Sequence, residues 1–299
     1  MLIAICYLLF AKLLFVPMQL KQAVDAAYEL FVSNDVPSPR LNAELLMMLV
    51  LGRERAYLYA HPDRELTAEE EFNYDRIIEE RARGVPTQYI TGHQEFWGLD
   101  LLVTPAVLIP RPETEHVVET VLELVKQMKP ASNFELVDVG TGSGAIALAL
   151  ASELPHAELH ACDISDDALE IARLNTARLG LEGRIQFRKS DLLSAYSGEM
   201  FDFVISNPPY VGDSEADKVQ KQVREFEPKI AVFSGEEGLD IYRRLVPEAE
   251  QALNPGGWFV CEIGFSAEAK VKELLNGWAD IQVTPDLQGI PRVIAARRR

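Results

Sequence analysis

Phe134-Glu135-Leu136-Val137-Asp138-Val139-Gly140-Thr141-Gly142-Ser143-Gly144 reads as a short strand that runs into a turn holding three glycines. The apolar stretch Ala145 to Leu154 that follows has helical spacing and is stopped by Pro155. Glycine reaches backbone conformations closed to other residues and carries no side chain, so such a turn lets the main chain approach a ligand closely. A strand, a glycine turn and a helix in this order open the nucleotide-binding units of parallel α/β sheets.

The chain beyond this stretch keeps the same rhythm. Ala157 to Cys162 reads as a strand, and Ser165 as the N-cap of the helix after it. Strands are expected at Arg184–Arg188 and Phe201–Ile205, a helix over Gly238–Leu253 and a strand over Trp258–Ile263. Two last strands, near 280–284 and 292–296, read as an edge hairpin. Alternation of this kind predicts a mainly parallel sheet covered by helices on both faces.

Asp163 closes the strand after the glycine turn, where a carboxylate can take both hydroxyls of a ribose. Ala145 satisfies the relaxed glycine fingerprint, so a dinucleotide stays among the readings. Asp138 stands two residues before the first glycine, beside the space the loop encloses; a carboxylate there repels a pyrophosphate. It suits S-adenosylmethionine, which carries an ammonium and a sulfonium and no phosphate. Asp191 can accept from an adenine amino group with Leu192 packed on the ring, or can cap the turn that follows it.

Phe201-Asp202-Phe203-Val204-Ile205-Ser206 then ends abruptly in Asn207-Pro208-Pro209-Tyr210. Two prolines supply no donors and fix φ twice, so neither a sheet ladder nor a helix continues through them. On its own this is a strand-terminating turn or a stiff ledge. As a ledge, the Asn207 carbonyl and the Pro208 carbonyl present two acceptors beside the ring of Tyr210, a receptor for a planar NH2 group. Strand ends of an open parallel sheet meet at one edge. The glycine turn, Asp163, Asp191 and Asn207 therefore share a crevice, which points to methyl transfer onto an NH2 group.

Composition narrows the substrate. At 299 residues, 48% hydrophobic, the chain can bury an ordinary core, and its formal net charge is −17. Such acidity disfavours nucleic acid and anionic membranes. Cys6, Cys162 and Cys261 lie far apart in apolar runs, with neither a disulfide framework nor metal-ligand spacing among them. A reduced, metal-free cytoplasmic protein is expected. Residues 1–17, almost wholly apolar, are too short for a membrane span and lack the marks of a signal peptide; they are expected to be dispensable.

Residues 18–85 read as a helical bundle. Ala23, Ala27, Leu30 and Phe31 share one face, and Leu41, Leu45, Met48 and Leu49 are expected to form the next stripe. Thr67 with Glu70 reads as a capping box before Phe72, Ile77 and Ile78. Residues 86–112 read as extended segments, including Tyr89-Ile90-Thr91-Gly92 and Leu108-Ile109, forming a hairpin that joins two domains. Its aromatics and Arg111 either line a cleft or pack the hinge. Residues 113–299, opened by Pro110-Arg111-Pro112-Glu113-Thr114-Glu115 and the helix through Val117 to Val125, form the second domain.

Several of these stretches together resemble the HemK/PrmC family of protein-(glutamine-N5) methyltransferases: Asp138 to Gly144, Asn207 to Tyr210, Ile109 to Glu115 and the helical N-terminal part. Phe226-Glu227-Pro228, Gly238-Leu239-Asp240 and Asp286 to Arg292 extend the likeness, which runs from about residue 18 to the end. Asn-Pro-Pro-Tyr alone is shared with adenine-N6 methyltransferases; the Pro-Arg-Pro-Glu-Thr-Glu stretch is the more specific mark. The resemblance implies a Rossmann-like, S-adenosylmethionine-dependent methyltransferase sheet with a small all-α domain for substrate recognition. It implies transfer to the glutamine amide nitrogen of the Gly-Gly-Gln loop of class 1 peptide chain release factors, by a monomer. In that reading Gly140, Thr141, Gly142, Ser143 and Gly144 wrap the methionine part of the cofactor, Asp163 the ribose, and Asp191 and Leu192 the adenine. Asn207 and Pro208 hold the glutamine amide, and Pro209 and Tyr210 wall the slot. Leu192 departs from members with an aromatic there and stacks less well on adenine.

Overall fold

The computed structural model describes residues 17–128 and 134–299, and the chain divides into two compact units between Thr91 and Gly92. The expectation for residues 1–17 lies, Pro17 apart, outside the described residues.

The first unit is helical: α1 (Leu20–Ser33), α2 (Pro39–Leu51), α3 (Arg55–Ala60), α4 (Ala68–Ala82) and α5 (Thr87–Thr91). Helix α1 buries Ala23, Ala27 and Phe31, with Leu30 packed at the margin, as its spacing predicts. At the start of α4 the Glu70 N–H donates to the Thr67 hydroxyl and the Glu70 carboxylate accepts the Thr67 N–H, the expected capping box. Helix α2 departs from expectation. Leu41 and Leu49 are exposed, while Ala43, Leu46 and Met47 are buried together with Asn42 and Glu44. The helix is apolar nearly all round, so its period selects no face. What fixes its rotation is that buried polar groups must be paired. Asn42 donates to the Pro37 and Ser38 carbonyls and accepts from Arg81, and Glu44 accepts from Arg40, Arg55 and Tyr59. Phe72 is also on the surface; Tyr74, Ile77 and Ile78 carry the core face of α4. Tyr89 to Thr91, expected as extended, belong to α5, whose first turn closes where the Pro86 carbonyl accepts the Tyr89 and Ile90 N–H groups.

The second unit opens with the hairpin β1 (His93–Phe96) and β2 (Leu99–Leu102), joined by Trp97 and Gly98 at φ 55° and 71°. Two residues at positive φ give the turn whose twist matches the strands. The hairpin is part of this unit's core rather than a free-standing joint. Phe96 and Leu101 are fully buried, and the Asn175 side chain accepts the Leu102 N–H and donates to its carbonyl. Leu108 and Ile109 pair with no strand; the Ile109 N–H donates to Glu227 instead.

There follow α6 (Glu115–Met128), β3 (Phe134–Val139), α7 (Ala145–Glu153), β4 (Ala157–Asp163), α8 (Asp166–Arg178), β5 (Ile185–Lys189) and β6 (Phe201–Ser206). Then come α9 (Lys221–Phe226), α10 (Lys229–Val232), α11 (Asp240–Ala252), β7 (Leu253–Glu262), α12 (Glu268–Leu274), β8 (Ala279–Pro285) and β9 (Pro291–Arg297). The seven strands of the large sheet lie in the order β5-β4-β3-β6-β7-β9-β8. The first five are parallel, and β9 and β8 form the antiparallel edge hairpin expected from sequence. Successive strand residues face opposite sides. Leu136, Phe203, Ile205 and Val260 join α6 and α7 in one core. Val137, Val204, Phe259 and Cys261 join α11 and α12 in the other. The chain leaves β3 toward β4 on one side and reaches β6 on the other, so a crevice opens at the carboxyl ends of β3 and β6.

Candidate active site

The loop after β3 is anchored to β4: the Gly140 and Thr141 N–H groups both donate to the Cys162 carbonyl, each at 2.9 Å. Gly140 and Gly142 have φ 73° and 56°, and a Cβ on either would project into open space. Both line a cavity of about 260 Å³, shared with Thr141, Ser143, Asp163, Asp191 and Leu192. Gly144 does not line it. A Cβ there would stand 3.1 Å from Leu148 Cδ1 and 3.3 Å from Ala172 Cβ, so this glycine serves the close packing of α7 and α8. The expected ligand contact of Gly144 is corrected to a packing role.

Asp163 points into the same cavity and braces its floor. Its carboxylate accepts the Gly142 N–H at 2.9 Å and the Ser165 N–H at 2.9 Å. Burial pushes its pKa up, against those backbone bonds. Asp191 and Leu192 form the far wall. The turn after Asp191 is closed by its main-chain carbonyl, which accepts from Ser194, while its side chain takes Arg244 of α11 at 2.8 Å. Leu192 sits at φ 50°, a conformation rare for a branched side chain and typical of strained positions at sites.

Asp138 lies elsewhere than expected. It is 2% exposed and absent from the cavity lining, buried beneath the loop with the Thr141 hydroxyl donating to Oδ2 at 2.6 Å. Its Oδ1 is buried with no partner. Burial pushes its pKa up to about 7, outweighing the Thr141 hydrogen bond. The expectation that it repels phosphate from beside the loop is therefore withdrawn.

Asn207, Pro208 and Pro209 follow β6 and complete the wall of the first cavity. Asn207 and Pro208 also line a second cavity, of about 340 Å³, with Leu108, Arg111, Tyr210 and Val223. Tyr210 lines this second space and not the first cavity. Arg111 and Leu108 thus line a cleft, whereas Phe96 is core and the Trp97 indole N–H bonds Glu153 at 3.0 Å. Arg111 is held by the buried Glu227. Neither the Pro208 carbonyl nor Asn207 Oδ1 takes a hydrogen bond among the described residues. The Asn207 Nδ2 donates to the Thr114 hydroxyl at 3.0 Å, Thr114 to Glu262 at 2.6 Å, and the Tyr210 hydroxyl to Glu262 at 3.0 Å. Sequence reasoning gave no role to Thr114, Glu262 or Arg244. The available signal was a lone carboxylate closing the apolar run Trp258–Ile263.

The cavity fits an adenosyl cofactor: a glycine cradle open where side chains would stand, and the Asp163 carboxylate at the end of the adjacent strand β4 lining the same space. Among the described residues no cluster of metal-binding side chains occurs and no helix is long and apolar enough to cross a membrane.

Comparison with known proteins gives two family matches, the PrmC N-terminal domain over residues 22–92 and the methyltransferase small domain over residues 119–226. A release factor glutamine methyltransferase of Koribacter versatilis is 55% identical over 282 residues, covering 94% of this chain and 99% of that one. Proteins of the same description from Moorella thermoacetica and Geobacter sulfurreducens are 41% and 37% identical, over 94% and 93% of this chain and 99% and 96% of theirs. Among solved structures, the hMettl16 catalytic domain in complex with the MAT2A 3'UTR hairpin 6 matches with a TM-score of 0.54 at 20% identity. That match covers 73% of this chain and 81% of that one, a likeness of fold alone.

Proposed function

The chain belongs to the release factor glutamine methyltransferase family, and from that premise we propose that it methylates the side-chain amide nitrogen of the Gly-Gly-Gln glutamine of class 1 peptide chain release factors, using S-adenosylmethionine. One observation carries the reading: Asn207 and Pro208 line both cavities, so the planar-amide receptor stands where the cofactor space and the second cleft meet. The cofactor supplies an electrophilic methyl on a sulfonium.

The residues of the chain do the rest. Gly140 to Ser143 cradle the amino-acid part, Asp163 takes the ribose hydroxyls, and Asp191 and Leu192 face the adenine. Adenine binding draws on an Asp191 that Arg244 already holds in place. Asn207 Oδ1 and the Pro208 carbonyl accept the two N–H bonds of the glutamine amide. An amide nitrogen is a poor nucleophile because its lone pair is delocalised; holding both N–H bonds turns that pair toward the methyl carbon. Positioning is then the main source of acceleration. Pro209 and Tyr210 wall the slot. No general base is needed, since the methylated nitrogen is acidic enough to lose its proton to water. The helical unit is assigned to recognition of the protein substrate, supported by its match to the PrmC N-terminal domain.

The test is transfer of label from S-adenosylmethionine to purified release factors with the Gly-Gly-Gln loop intact or its glutamine replaced. Label on the intact factor alone is expected. Equal label on both, or transfer to DNA or RNA instead, overturns the reading.

A further inference from the structure

We propose that Glu262, through Thr114, fixes which end of the Asn207 carboxamide faces the cavities, and so acts as a positioning residue for it. This rests on the reading of Asn207 as the clamp on the substrate amide. An asparagine side chain is nearly symmetric in shape, with a carbonyl oxygen on one side and an NH2 on the other. Shape alone leaves the two orientations, related by a half turn, close in energy. Only the oxygen can accept an N–H from a substrate amide; the reversed side chain sets one NH2 against another.

The order of donors and acceptors breaks the tie. Glu262 closes β7 and is 1% exposed. Its Oε2 accepts the Thr114 hydroxyl at 2.6 Å and its Oε1 accepts the Tyr210 hydroxyl at 3.0 Å. An ionised carboxylate has no hydrogen to give, so each hydroxyl directs its single hydrogen at Glu262. Thr114, itself buried, is left with lone pairs alone. The Asn207 atom 3.0 Å away must then be the donor, Nδ2, which turns Oδ1 to the other side. The Tyr242 hydroxyl donates to the Glu262 main-chain carbonyl at 2.9 Å and pins the strand end from below. One carboxylate therefore orients the amide on one arm and the aromatic wall of the slot on the other.

The negative charge, rather than the shape, is what the relay requires. A glutamine at 262 fills the same space but offers either an oxygen or an NH2 to Thr114. In the second case Thr114 accepts from it and donates to Asn207 Oδ1, and the clamp is reversed.

Glu262→Gln is expected to lower single-turnover methyl transfer about tenfold, the worth of one hydrogen bond to a charged group, with cofactor affinity by calorimetry unchanged. In an Asn207→Ala background the same substitution is expected to cost much less, because no amide remains to be oriented and only the Tyr210 arm is lost. Thr114→Ser is expected to recover most of the turnover that Thr114→Val loses, since the relay needs the hydroxyl. The same loss from Glu262→Gln in both backgrounds, or none in the wild-type background, overturns the relay and leaves the clamp standing. Normal turnover in Asn207→Ala alone overturns the clamp and the relay with it.

Discussion

Glu44 in the helical unit and Glu262 in the α/β unit are equally hidden, at 2% and 1% exposure, yet their surroundings differ in kind. Glu44 accepts from two guanidiniums, Arg40 at 3.1 Å and Arg55 at 2.7 Å, and from the Tyr59 hydroxyl at 2.7 Å. Burial works to raise its pKa, but the Tyr59 and Arg55 bonds and the charges of Arg55 and Arg40 outweigh it and hold the carboxyl below its ordinary range. Glu262 touches only hydroxyls, with Arg292 acting from farther off; burial prevails and its pKa rises. Asp138, whose one hydrogen-bonding side chain is Thr141, follows Glu262. A carboxylate that serves the fold is matched with cations. Glu262 and Asp138, buried behind the crevice, have no cation at hydrogen-bond distance, at a cost in stability.

The comparison breaks first on pH. Asp138 carries a folded-state pKa of about 7 against an ordinary 3.8. A raised value means that the folded state holds the proton longer, so this stability is complete below about pH 4 and is lost as pH rises to 7. The expected loss is of the order of 4 kcal/mol across that window. The three tryptophans, Trp97, Trp258 and Trp278, all lie in the α/β unit. Tryptophan fluorescence in denaturant titrations between pH 4.5 and 8 therefore reads this unit alone. Asp138→Asn is expected to flatten the decline; parallel curves for the two proteins would show that the buried acid is not strained. Next comes Asn207→Ala, expected to cut turnover by roughly 10²-fold while cofactor affinity stays nearly unchanged, as for loss of one preorganised polar contact. Steady-state kinetics with calorimetry separates the two, and near-normal turnover would remove Asn207 from the clamp.

The same contrast explains what could be read in advance. Glycine and proline punctuate the α/β unit, so the loop after β3, Asp163, Asp191 and the ledge at Asn207 could be placed at neighbouring strand ends from spacing alone. Thr114, Arg244 and Glu262 could not, because they arrive from α11, from β7 and from the turn before α6, and only the folded sheet brings them together. From sequence Asp138 reads as lying beside the loop because its position in the chain is adjacent; strand alternation and the Thr141 hydroxyl put it underneath. In the helical unit the stripe of α1 was legible, but α2 has apolar residues on every side. Its rotation follows from where Asn42 and Glu44 find partners, which no local period encodes.

Smaller effects sharpen the comparison from the cofactor side and from the helical unit. Asp163→Ala removes the proposed ribose acceptor and also the carboxylate that holds the Gly142 N–H. Cofactor affinity by calorimetry is expected to fall at least about tenfold, one charged hydrogen bond's worth. Unchanged affinity would mean that the ribose contact is misassigned. Glu44→Gln tests the compensated carboxylate. The amide cannot serve three donors, and Arg40 and Arg55 are half-exposed and able to turn to water, so the expected destabilisation is only about 1–2 kcal/mol at neutral pH. Its folded-state pKa is lowered, so this contribution is present above about pH 4.5 and is lost as pH falls through the folded value, the reverse of Asp138. Denaturation followed by tyrosine signals or hydrogen exchange in α2 should show the variant and wild type converging in acid. A gap that instead widens in acid would mean that Glu44, like Glu262, is uncompensated, and the distinction between the two units would be lost.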